Sequence, residues 1–125
     1  MNTLDVEGFL VEILEAALPT TTIYDSLPTG HVVPASFVVV RRIGGAATSR
    51  VQDVPMVAIE AYARARADAL SLCGQARAVL HGLSGEYTHC IVYRVAETGG
   101  PVNLPDPRIL THYRYTVTAQ IWLRA

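Results

Sequence analysis

Between positions 3 and 17 the apolar residues Val6, Phe9, Leu10, Ile13, Leu14 and Ala17 return at steps of three and four, while Asp5, Glu7, Glu12 and Glu15 fall mostly off that stripe. The spacing predicts an amphipathic helix. Thr3 is placed to cap it, Asp5 and Glu7 lie where the helix dipole favours anions, and Pro19 follows its end. Positions 63–83 (ARARADALSLCGQARAVLHGL) repeat the pattern through Ala69, Leu72, Ala76, Val79, Leu80 and Leu83, with Arg64, Asp68, Ser71 and Gln75 opposite. A second helix is expected there, with His81 in its last turn and Gly82 or Gly85 beyond it.

Elsewhere the pattern is that of strands. Positions 36–43 (SFVVVRRI) form a β-branched run, 54–62 (VPMVAIEAY) another, and 86–96 (EYTHCIVYRVA) a third. Positions 110–123 alternate cleanly: Tyr113, Tyr115, Val117, Ala119, Ile121 and Leu123 point one way, His112, Arg114, Thr116, Thr118, Gln120 and Trp122 the other. Between these runs, 44–53 (GGAATSRVQD) reads as a flexible arm and 98–108 (TGGPVNLPDPR) as too rich in proline and glycine for regular structure. Positions 20–34 allow at most a brief strand at Ile23 and Tyr24.

The expected order is therefore α-β-β-α-β-β. It implies an α+β fold with one four-stranded sheet, antiparallel with a mixed arrangement allowed, and both helices packed on one face. The other face carries Trp122 among threonines and arginines and must meet water or a partner.

Composition sharpens this picture. A chain of 125 residues fits one domain, 1–125, and scaling of folded surface lets it bury about two thirds of its area without staples. Hydrophobic residues make up 50% and mean hydropathy is +0.27, which excludes a disordered chain. Charged residues are only 17%, against about 25% in a typical domain. So sparse a charge coat points to surface covered by copies of the same chain or by a partner.

The net charge of -1 argues against tight nonspecific nucleic-acid binding, which needs a concentrated cationic face. All 10 basic residues are arginine, as a GC-rich coding sequence would give. Cys73 and Cys90 lack a C-x-x-C spacing and are expected reduced and buried. The first residues carry acids within the apolar stretch and no basic leader, and no apolar run approaches the roughly 18 residues of a membrane span. A soluble, intracellular protein without membrane contact is the expectation.

No residues assemble into recognisable chemistry. There is no G-x-S-x-G, and Gly44-Gly45 is followed by AATSR without the lysine of a phosphate loop. His89 and Cys90 are neighbours on a strand and leave opposite faces, while His31, His81 and His112 lie on separate elements, so neither a metal site nor a cofactor is expected. Glu60 sits in an apolar strand, where an arginine across the sheet (Arg41, Arg42 or Arg94) is its natural partner. Arg41, Arg42 and Arg50 border the arm, and Arg64 and Arg66 begin the second helix. Solvation would suffice for them, but Glu12 and Glu15 on a neighbouring subunit are attractive partners, because an acid near a helix C-terminus opposes the dipole.

The order of elements, with VVVRRIGGAATSR, VPMVAIEAYA running into ADALSLCGQARAVLHGL, and GGPVNLPDPR before RYTVTAQIWLR, resembles the tail terminator (tail completion) proteins of long-tailed bacteriophages. The resemblance covers nearly the whole chain and rests on element order, not on an invariant chemical motif. It implies a non-enzymatic virion protein of the tail and neck, assembled in the host cytoplasm, that forms a ring, commonly a hexamer, on the end of the tail tube. Its implied partners are further copies of itself, the major tail tube protein and the head-tail connector protein, with DNA passing transiently through the ring.

On that reading the candidate contact residues are Glu12, Glu15, Arg41, Arg42, Arg50, Arg64, Arg66, Arg108 and Trp122, with the arm and the loop at 99–108 ordering on contact. Two other readings stay open. One is a head completion or connector adaptor protein of the neck; the other is a small enzyme or ligand-binding domain using Tyr93, His112 and Glu60 in a cleft.

Overall fold

A computed structural model describes residues 3–28 and 33–125. His31 lies outside the described residues. The elements run α1 (Val6–Ala17), β1 (Thr22–Tyr24), β2 (Ser36–Ala47), β3 (Gln52–Ala63), α2 (Arg66–His81), β4 (Gly85–Glu86), β5 (Ile91–Asn103) and β6 (Tyr113–Arg124). They form a six-stranded mixed sheet in the order β1-β2-β3-β6-β5-β4. β1 joins β2 in parallel, and every other pairing is antiparallel.

The four-stranded sheet and the α-β-β-α-β-β order expected from the sequence are thus corrected. The two added strands are edge pieces of three and two residues, too short to show a period of two. A larger difference lies in β5, which runs through Gly99, Gly100 and Pro101, a stretch expected to be irregular. It does so because, among the described residues, only Ile91 and Val92 carry a partner on the outer side, so a proline there forfeits no ladder bond, and two of the three register shifts against β6 flank Gly99 and absorb the glycines.

The arm at 44–53 is likewise no arm. β2 and β3 stay paired out to Ala47↔Asp53, and the Thr48 N–H closes the hairpin on the Gln52 carbonyl at 3.0 Å. The register jumps between Arg42 and Gly44, leaving Ile43 as a bulge, and Gly45 then holds φ +89. A Cβ on Gly45 would stand 2.1 Å from the Val54 carbonyl oxygen, so only glycine fits this close approach.

Asp5, not Thr3, caps the first helix, accepting the Gly8 N–H at 3.0 Å. Both helices lie on one sheet face. Phe9, Leu10 and Leu14 of α1 and Leu72, Cys73, Ala76 and Leu80 of α2 pack there with Val38 and Val40, Val57 and Ile59, and the Tyr115 to Leu123 row of β6. Both cysteines are free and buried in this core. No helix among the described residues is long and apolar enough to cross a membrane.

Candidate functional site

The opposite face divides into a covered half and an open half. Near the start of β2, Phe37 stacks on Tyr62 with centroids 4.5 Å apart, and Ile109, from the segment between β5 and β6, completes a second small core with Val39. Asp106 of that segment is buried. It accepts the Tyr62 hydroxyl at 2.9 Å and the Arg108 guanidinium and backbone N–H at 2.9–3.1 Å. Burial by itself would raise the Asp106 carboxyl, but the Arg108 and Tyr62 hydrogen bonds prevail and hold it down at about 2. Tyr62 responds in the opposite sense: desolvation and the nearby Glu60 carboxylate push its phenol well above the usual range. His112 bonds the Thr111 hydroxyl and the Pro34 carbonyl, both at 2.8 Å. The segment at 104–112 is pinned, not loose.

Next to this core Glu60 is buried between two arginines, Arg41 donating to it at 3.0 Å and Arg114 at 2.8 Å. Of the three arginines expected as partners for Glu60, Arg41 takes the role and Arg42 and Arg94 do not; Arg114, outside that set, adds a second partner. On the open half, the Arg94 guanidinium lies 4.5 Å from the centroid of the half-buried Trp122 ring. Tyr93, His112 and Glu60 are not brought together: Glu60 and His112 are each occupied by other partners, and Tyr93 is exposed on β5. Among the described residues no three His, Cys, Asp or Glu side chains gather where they could hold a metal.

The structure sorts the sequence-derived contact residues into engaged and free. Arg41 belongs to Glu60 and Arg108 to Asp106, while Arg42 bonds Asp53 at 2.9 Å and gives its backbone N–H to Glu7 at 3.0 Å. Arg66 donates to the Tyr115 hydroxyl at 3.1 Å. Glu12, Glu15, Arg50 and Arg64 are exposed, with no ion pair among the described residues.

Strand register also places them at different ends. Ser36, Ala63 and Tyr113 align at one end of the sheet, and Ala47, Asp53 and Leu123 at the other. Twelve residues in β3 separate these ends by roughly 36 Å at about 3.3 Å per residue. Arg64, Arg66 and the segment carrying Arg108 belong to the first end; the N-terminus of α1 and Arg50 belong to the second.

The sequence reading missed Asp106, Tyr62 and Arg114 as a network, and it missed Leu110, which is 89% exposed. An acid between two prolines was the one available signal for Asp106. The sequence pattern makes Leu110 the first residue of the last strand, but that strand begins at Tyr113.

These features define a small α+β domain whose interior polar groups serve its own sheet. Residues 2–108 match the family described as phage tail termination protein. The chain belongs to this family, and its role is that of a structural component of a phage tail. Among solved structures, a chain of the virion of a native gene transfer agent (GTA) particle superposes with a TM-score of 0.52 at 14% identity, over 98% of this chain and 89% of that one. That likeness concerns the fold. No curated protein matches.

Proposed function

We propose that this chain is the repeating unit of a ring, a hexamer on the family resemblance, that caps the tail tube, stops its polymerisation and offers the joint to the head connector protein. Family membership supports this reading, and one structural observation carries it: the two ends of the sheet are chemically unlike. A ring needs a head-to-tail contact between different, complementary surfaces, which a two-fold dimer does not. The exposed apolar Leu110 at one end and the acid-rimmed groove beside the N-terminus of α1 at the other supply that difference.

DNA contact is transient on this account. Of the 10 arginines, Arg41, Arg42, Arg77, Arg108 and Arg114 are held by carboxylates of the same chain, which halves the cationic surface left to retain passing phosphates.

The test is to add the purified protein to polymerising tail tube protein and measure particle mass by light scattering and tube length by electron microscopy. Ring-sized particles that bind tube ends and halt growth are expected. A protein that stays monomeric and never engages a tube end overturns the reading.

A further inference from the structure

Beside the N-terminus of α1 lies a groove of about 470 Å³, lined by Leu4, Asp5, Phe9, Glu12, His89 and Ala125 among others. A smaller hollow continues it over Phe9, Ile13 and Tyr87. Its floor is firm and apolar, with Phe9 edge-on to Tyr87 at 5.2 Å between centroids and Leu4 packed against the main core. Its rim is acidic, through Asp5 and the exposed Glu12.

At the other end of the sheet the pinned 104–112 segment shows the converse. Leu110 is 89% exposed, and Leu104 and Tyr113 at the same end are 46% and 45% exposed. Arg64, Arg66 and Arg108 lie at the same end. The backbone under Leu110 is fixed by Asp106, Ile109 and His112, so little conformational freedom is lost when this apolar knob is covered.

We infer that the 104–112 segment of one subunit, led by Leu110, seats in the groove beside the first helix of the next, with Arg64 meeting the Glu12 carboxylate. The occupant is a second copy of this chain because knob and groove match in both respects that decide fit. Each is apolar at its centre, and exposed Arg64 beside the knob, which has no carboxylate partner among the described residues, faces an acidic rim. The two surfaces sit at opposite ends of the same sheet, so each copy offers one while occupying the other. This rests on the ring reading above and names its interface.

The experiment compares wild type with Leu110→Asp and Glu12→Arg by analytical ultracentrifugation, alone and on the cognate tail tube. Leu110 and Glu12 are exposed, so both variants are expected to melt as wild type does, and each to weaken self-association by about tenfold or more. Mixing the two variants is diagnostic: each retains the half the other lacks, so they form a one-to-one dimer that does not close. The double variant Glu12→Arg, Arg64→Glu regains assembly. Rings from either single variant at wild-type affinity overturn the interface while leaving the ring intact. A wild type that forms no ring, alone or on tubes, overturns the ring reading itself.

Discussion

Glu60 and Arg114 face each other on the sheet side away from the helices, with Nη1 2.8 Å from Oε2. The Glu60 side chain is 4% exposed and that of Arg114 14%, and Arg41 closes the other side of the carboxylate. Removing one partner of such a buried pair strands the other charge, which costs far more than the pair itself contributes. Glu60→Ala is expected to lower unfolding free energy by about 3 kcal/mol in urea titration, from the penalty for breaking a buried ion pair.

The buried Asp106 carboxylate, held by Arg108 and by Tyr62, predicts a pH response. Asp106 has a folded pKa of about 2, below its ordinary value of 3.8. A carboxylate depressed on folding stabilises the native state at pH values above its unfolded pKa, and that stabilisation disappears as pH falls through the folded one. The wild type should therefore lose stability from about pH 4 down to pH 2, and Asp106→Asn should remove the Asp106 share of that loss, leaving the share of Glu97, which Arg77 and His81 also hold down at about 2. Melting temperature followed by circular dichroism across that range checks it. Tyr62→Phe keeps the stacked ring and loses the hydrogen bond, for about 1 kcal/mol.

Gly45 is the tightest backbone constraint in the β2–β3 hairpin. Gly45→Ala must move the chain away from the Val54 carbonyl and abandon φ +89, so it should destabilise by about 2 kcal/mol or more. Gly74→Ala, where an added Cβ meets nothing within 4 Å on the outer side of α2, should instead stabilise by about 0.5–1 kcal/mol. Thermal unfolding of the two variants side by side gives opposite signs.

The long amphipathic elements were legible in the sequence because burial imposes a period on them. Val6, Phe9, Leu10 and Leu14 of α1, and the alternating row from Tyr115 to Leu123, are buried as their spacing requires. What escaped was set by pairing instead of pattern. Thr22–Tyr24 becomes a strand because Phe37–Val39 lies beside it, and Pro101 is tolerated because no strand among the described residues pairs with that side of β5 there. Glu60 with Arg41 follows from diagonal neighbours on adjacent strands, a short inference once those strands are aligned. Tyr62 with Asp106 joins residues 44 apart in sequence, which no local rule connects. The exposure of Leu110 depends on a segment held from beneath, and nothing in the residues around it announces that support.

The proposed ring on the tube end is tested by electron-microscopic imaging of tail tubes grown with and without the purified protein, scoring tube length and the density at each end. Arrested tubes carrying a single closed ring at one end are expected. Tubes of unchanged length with bare ends would refute the proposed ring.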